Sequence, residues 1–356
     1  MKEKVFILLF VLSGVSFSQD IVKYGNEFLT IGVGGKQLGM GSAGISINKD
    51  VASAFWNPAG LAGLKEAEVM LQHDERYGEL VNYDYVAFAM PFFDNYVHAL
   101  SVVRLGIEGI PDTRNALIDF DGNGLLDDYD RIDYSKVTYH NASDWAFIYT
   151  IAKNTKSDLN MSDKSTLVQQ SNKDSNLSTD VFSYGVNIKF IYRNLMESSA
   201  MGIGFDIGLI YSPIDKLFLG AAVQDVTTTY LGWDTGRKEL VPPTLKLGAG
   251  YYLEIFNGVF SPAVDFSLHF DNRKYSSMMA LGPVTVDMIG GFEFLYKDIV
   301  ALRAGYNDTK QITLGLGLKV YRLSLDYAFA KFSSEENSLG STHRISLKLN
   351  LGNLSF

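Results

Sequence analysis

From Glu66 to its last residues the chain alternates in polarity with a period of two. Ile345, Leu347, Leu349 and Leu351 interleave with Arg344, Ser346, Lys348 and Asn350. Leu323, Leu325, Tyr327 and Phe329 form a second such stripe, and Tyr83, Tyr85, Ala87 and Ala89 alternate with Asp84, Val86, Phe88 and Met90. Successive side chains of a strand point to opposite faces, so this pattern predicts strands with one apolar and one polar face. A soluble sandwich alternates in the same way. Number and length separate the two, because a tilted membrane strand needs about nine or more residues. The predicted strand cores are 66–72, 82–90, 96–107, 138–152, 179–192, 201–212, 217–225, 244–253, 259–270, 286–296, 299–307, 310–319, 321–330 and 342–351. That is an all-β chain forming a single transmembrane antiparallel barrel of about 14 strands.

The connections sort by length. Short turns follow even-numbered strands, at Asp94-Asn95, Ser212 to Lys216, Phe256-Asn257 and Lys297-Asp298 and after the twelfth strand. Longer connections follow odd-numbered strands, at 73–81, 108–137, 226–243, 271–285 and 331–341. Short periplasmic turns and long external loops are the asymmetry of outer-membrane barrels. One connection departs from it: residues 153–178, rich in Ser, Asn, Lys and Asp, follow the fourth strand and read as a polar periplasmic insertion. Glycines on strands, such as Gly202, Gly204, Gly208, Gly315 and Gly317, mark bends or places where something packs closely inside. Tyr211, Tyr251, Tyr252, Tyr296, Tyr306 and Tyr321 near strand ends suit interfacial girdles.

The N-terminus sets the compartment. Lys2 and Lys4 precede the apolar stretch Val5 to Leu12, and Ser16 and Ser18 bracket Phe17 ahead of Gln19. That is a secretory signal over 1–18, and its apolar run is short of the ~20 residues of a spanning helix. Composition agrees with a lipid-embedded sheet. Of 356 residues, 20% are charged and 13% aromatic, with 20 Tyr and 23 Phe. The absence of Cys excludes a disulfide scaffold, a thiol nucleophile, a Cys-bound metal and a lipidated N-terminal Cys. A net charge of -9 argues against a nucleic-acid partner.

One stretch carries candidate metal chemistry. Asp119, Asp121, Asn123, Asp127 and Asp130 fall at positions 1, 3, 5, 9 and 12 of a calcium-loop spacing, with Gly124 at the sharp turn. Leu125 supplies a backbone carbonyl at position 7, and Asp130 replaces the usual longer Glu at position 12. The expectation is a structural calcium ion ordering the external 108–137 loop. Catalytic signatures are absent: there is no Gly-x-Ser-x-Gly or His-Glu-x-x-His, and the five His are scattered. Asp206, Asp265, Asp287 and Glu293 read as polar groups facing a wet lumen, and the chain reads as no enzyme.

A family resemblance rests on residues ahead of the first strand. Leu38-Gly39-Met40-Gly41-Ser42-Ala43-Gly44 leads to Val51-Ala52-Ser53-Ala54-Phe55-Trp56-Asn57-Pro58-Ala59-Gly60-Leu61, without the spacing of a phosphate loop. Gly204-Phe205-Asp206-Ile207-Gly208, Ala301-Leu302-Arg303-Ala304-Gly305-Tyr306 and Gly340-Ser341-Thr342-His343-Arg344 follow in order. Together these resemble FadL-like outer-membrane barrels, and more closely the PorV/PorQ family. The resemblance implies that 19–65 folds as a plug inside a barrel formed by 66–356 in the bacterial outer membrane. It implies a role in type IX protein secretion, in which C-terminal domains of exported cargo are bound at a large secretion channel and shuttled onward. A FadL-like transporter of hydrophobic small molecules is the other reading, marked by a continuous apolar pocket beside 38–61. Outer-membrane lipid and the barrel-assembly machinery, through the closing strand His343 to Leu351, complete the expected partners.

Overall fold

The computed structural model describes residues 27–76, 80–120, 122–124, 126–128, 130–155, 181–270, 277–332 and 341–353. The signal over 1–18, most of the 153–178 insertion and Phe356 lie outside the described residues.

The strands are β1 (Ala67–Arg76), β2 (Val81–Pro91), β3 (Tyr96–Asp112), β4 (Leu117–Ile118), β5 (Arg131–Ile132), β6 (Thr138–Asn154) and β7 (Val181–Leu195). They continue with β8 (Ser198–Ser212), β9 (Leu217–Gln224), β10 (Thr229–Trp233), β11 (Lys238–Val241), β12 (Thr244–Tyr251), β13 (Leu253–Ile255) and β14 (Gly258–His269). The last six are β15 (Met279–Leu281), β16 (Val284–Tyr296), β17 (Val300–Tyr306), β18 (Gln311–Val320), β19 (Leu323–Phe332) and β20 (Thr342–Gly352). Fourteen of these, β1–β3, β6–β9, β12, β14 and β16–β20, form the wall, every neighbour antiparallel. The wall closes where β20 pairs with β1, from Glu75↔His343 down to Ala67↔Gly352. Closure leaves no open edge in the hydrocarbon, where each unpaired backbone group is costly.

The lipid face follows the sequence pattern. On β18 the outward Ile312, Leu314, Leu316 and Leu318 are exposed while Gln311 and Thr313 are buried. On β20 Ile345, Leu347 and Leu349 face out, and Arg344 and Ser346 face in. β2 reverses this rule: Tyr83, Tyr85, Ala87 and Ala89 point into the lumen and are buried. The reason is the plug, whose Phe55, Trp56 and Leu61 pack against Tyr83, Tyr85, Val103 and Ile148 in one apolar cluster.

Residues 27–66 fill the lumen with the short helices α1 (Glu27–Thr30), α2 (Gly35–Gly39) and α3 (Ser53–Trp56) and a 3-10 turn over Pro58–Gly63. Asn57 ends α3 in an extended conformation, and its side chain accepts from the Ala59 N–H to cap the following turn.

Three expectations are corrected in detail. β3 runs past residue 107 because Ile110–Asp112 resume pairing with β6 after a bulge at 108–109, where Gly109 takes φ 68°. The 226–243 connection is a hairpin, β10–β11, whose β10 extends the wall by pairing with β8. Tyr252 joins no girdle; its hydroxyl donates to the Ile47 carbonyl at 3.0 Å inside the lumen.

Candidate functional site

The plug is bonded to the wall around most of its circumference. Arg344 on β20 is fully buried; its Nε and Nη2 donate to Asp74 on β1 at 3.0 and 2.7 Å, and Nη2 also reaches the Ile31 carbonyl at 3.3 Å. Beside it the Gly34 N–H donates to Gln72, and the Gly35 N–H to Ser346 Oγ at 3.0 Å. Thr313 on β18 donates to the Gly39 carbonyl at 3.2 Å, and Asp265 on β14 accepts from the Gly44 and Ile45 N–H groups at 2.6 and 3.1 Å. Asn187 on β7 donates to the Ala54 carbonyl at 2.8 Å, and Asn57 to Leu209 on β8 at 3.2 Å. Such bonds satisfy polar groups of the plug's irregular backbone, which has no regular ladder of its own.

Glycines make the fit. A Cβ on Gly291 or Gly305 would collide with the backbone at Met40, and one on Gly185 or Gly208 with Pro58 or Asn57. Gly315 lies against Gly39 in the same way. Of the glycines marked in the sequence, Gly208 and Gly315 face the plug, while Gly202 and Gly204 face the β10 hairpin and its approach and Gly317 faces Arg303 and Asp326.

The lumen carboxylates expected on strands are buried where the sequence put them; Asp206 and Glu293 are paired with cations, while Asp265 meets the plug backbone. Lys189 bridges Asp206 and Asp225, both at 2.7 Å, and Arg303 bridges Glu293 at 2.8 Å and Asp326 at 2.7 Å. Lys36 and Lys348 extend these clusters between plug and wall, to Glu293 at 3.4 Å and Asp50 at 3.3 Å. Asp287 accepts from the Met278 N–H at 2.8 Å. Burying charges is tolerable when each finds a partner, and here the partners span plug and wall. Two cavities lie beside the plug among the described residues. One of about 940 Å³ at the short-turn end is lined by charges including Lys49, Glu66, Glu68 and Lys319. The other, of about 90 Å³, lies at the opposite end between Phe55, Ile148, Lys246 and Phe270. The five His stand on β1, β3, β6, β14 and β20, hydrogen-bonded to Asp84, Tyr149, Asp112, Thr244 and Tyr327 in turn.

The rim opposite the short turns is uneven. β3 and β6 have 17 residues each, against 7 in β17 and 8 in β9 and β12. A span needs about nine to eleven, so one side stands above the membrane as a ledge carrying β4 and β5. Arg114 ties it down, donating to both carboxylate oxygens of Asp112 and to Glu197 in the β7–β8 turn at 2.8 Å. The guanidinium holds the Asp112 carboxyl far below its ordinary range. A depressed carboxylate contributes above its unfolded pKa and is lost only as pH falls through the folded value, so the clamp persists at every ordinary pH. Sequence reasoning missed it, because Glu197 stands 83 residues from Arg114.

The ledge carries the acidic loop. Asp119 accepts from the Gly122 and Gly124 N–H groups at 2.6 and 2.8 Å, and Asp130 from Phe120 and Asp127 at 3.0 and 3.2 Å. Asn123 donates to Asp127 at 3.0 Å, and Gly124 takes the left-handed φ of 74° that its turn requires. Four of the six expected ligands therefore share one loop, and Asp121 and Leu125 lie outside the described residues. Among the described residues no three carboxylate or imidazole groups converge as a metal site.

The architecture is that of a plugged barrel, and a family comparison adds to it. Residues 136–349 match the family described as type IX secretion system membrane protein PorP/SprF, more than half of the chain. The chain belongs to the PorP/SprF family. Its barrel and this family place it in the outer membrane, and the family is one of type IX secretion. The family that matches carries the PorP/SprF description, so the type IX expectation holds at that level. In fold this PorP/SprF-family chain is similar to the Ralstonia pickettii toluene transporter TbuX, at 13% identity over 90% of this chain and 98% of that one, with a TM-score of 0.55. It is similar to the P. putida toluene transporter TodX at 12% identity over 91% and 99%, TM-score 0.53. A Pseudomonas aeruginosa FadL homologue follows at 12% identity over 88% and 97%, TM-score 0.50. These likenesses are of fold. Comparison with curated proteins gives no match.

Proposed function

We propose that this PorP/SprF-family barrel serves type IX secretion as a sealed binding component, holding the C-terminal domains of exported proteins at its outer ledge beside a large secretion channel, in the manner of PorV/PorQ proteins. The observation that carries the reading is the plug: hydrogen bonds with β1, β7, β8, β14, β18 and β20 fix it, so the work falls to surfaces and not to a conduit. Cross-linked affinity purification of the tagged protein from its native outer membrane tests it. Recovery of a very large barrel and of exported proteins sharing a C-terminal domain is the expected result. Their absence together with co-purifying apolar small molecules overturns it.

The second reading, passage of a hydrophobic small molecule, has one observation in its favour. The cavity beside Phe55 is lined in part by apolar Leu29, Ile148 and Phe270, alongside charged Lys189, Asp206 and Lys246. Its volume of about 90 Å³ is small against the ~300 Å³ at which ligand sites begin. Under this reading, liposomes bearing the protein take up an apolar tracer faster than empty ones; under the first, the two rates agree.

The ledge loop belongs to the same proposal. Asp119, Asp121, Asn123, the Leu125 carbonyl, Asp127 and Asp130 would hold calcium, which is abundant outside cells, and the ion would supply only order. Chelation, or Asp121→Ala, is expected to expose 113–137 to protease, and Arg114→Ala to do so even with calcium present. Unchanged cleavage in chelator sinks the ion. Unchanged cleavage in Arg114→Ala sinks the clamp.

A further inference from the structure

Cations lie over aromatic rings at both ends of the wall, and the two ends differ. At the outer end Arg104 lies over Trp145 and Arg193 over Trp233. Each of these also meets a carboxylate, Arg104 at Asp84 (3.3 Å) and Arg193 at Asp144 (2.8 Å). At the short-turn end Lys153 lies 4.2 Å from the ring centre of Tyr96, Lys297 5.1 Å from Tyr296, and Arg322 5.5 Å from Tyr321. Among the described residues none of these three cations has a carboxylate partner, and two nearby acids are taken: Asp298 by Lys319 and Glu254 by Lys216.

The three pairs recur around the rim, at the start of β3 beside the end of β6, at the β16–β17 turn and at the β18–β19 turn. They also continue the lipid-facing stripes. Leu100 and Ile151 stand outward near Tyr96, Phe292 and Val300 near Tyr296, and Val320 and Leu323 flank the Tyr321 turn, all exposed. An aromatic ring at the end of an apolar stripe sits at head-group level, and a cation without a counter-ion there faces lipid phosphate.

We propose that this rim is a recognition surface for acidic phospholipid head groups in the periplasmic leaflet of the outer membrane. Lys153, Lys297 and Arg322 donate to phosphate oxygens, and the tyrosine faces beneath them keep the cations at that depth and share their charge. The proposal is independent of which cargo or solute the barrel serves.

The test places the full-length protein in nanodiscs of equimolar phosphatidylethanolamine and phosphatidylglycerol, then removes loosely held lipid and counts what remains by native mass spectrometry. Phosphatidylglycerol is expected to be enriched over the bulk ratio, with each cation contributing about five-fold at its own position. The combined Lys153→Gln, Lys297→Gln and Arg322→Gln variant loses the enrichment, and Lys310→Gln with Lys238→Gln at the outer end keeps it. Heat-modifiable migration on gels confirms that each variant is folded, and exposed Lys297→Gln alone reads a partial loss. Retained lipid that mirrors the bulk, or equal enrichment in the triple variant, overturns the proposal.

Discussion

Arg344→Met lowers the unfolding free energy of the barrel by about 3–5 kcal/mol, the cost of leaving one half of a buried ion pair behind. Arg344 and Asp74 are both fully buried, and they join the first strand to the last at the seam where the barrel closes. The substitution leaves the Asp74 carboxylate only the longer contact to Arg76 at 3.4 Å and frees the Ile31 and Gly34 carbonyls, so the seam and the entry of the plug weaken together. Urea titration of the folded protein in detergent measures the shift, and the double variant Arg344→Met with Asp74→Asn recovers part of it, because an uncharged amide costs less to bury. A shift below about 1 kcal/mol in the single variant refutes the role given to this pair.

Gly291→Leu unseats the plug without preventing the barrel from forming. Gly291 faces the lumen, and the Cβ it lacks would fall on the Met40 carbonyl, a backbone atom that has no rotamer to yield. Overpacking costs about 1–3 kcal/mol where side chains adjust, and a backbone contact lies at the upper end of that range. The neighbouring Gly290 is the control, since a Cβ there meets nothing within 4 Å. Planar-bilayer recording is expected to show ion conductance for Gly291→Leu and closed membranes for Gly290→Leu and the native chain. Protease cleavage within 27–66 rises in the same order. Closed membranes with Gly291→Leu would show that the plug is held by its hydrogen bonds alone.

Much of the wall was legible because the pleat is local. Inward and outward faces of β18 and β20 follow from period two, and the expected inward carboxylates Asp206, Asp265, Asp287 and Glu293 are all buried. The exceptions have a common cause. β2 presents tyrosines inward, and Tyr252 leaves the girdle for the Ile47 carbonyl, because both meet the plug. A plug creates an apolar interior where a water-filled barrel has a polar one, and alternation alone does not say which face of a strand will meet it. The β10–β11 hairpin escapes sequence reading because its strands are short, and the pairing of β10 with β8 depends on residues distant in the chain.

The sequence by itself determined the class of the molecule: antiparallel strands long enough to cross a membrane, turns sorted by length, and a glycine-rich segment ahead of them. These are properties of backbone geometry and of neighbours one or two residues apart. Only the tertiary structure decided that the plug is bonded across the lumen, that one side of the rim stands as a clamped ledge, and that three cations at the other rim lack carboxylates among the described residues. Each depends on groups brought together across the barrel, as Arg344 meets Asp74 over 270 residues of chain. Such contacts follow from strand register and closure, and no local pattern encodes them.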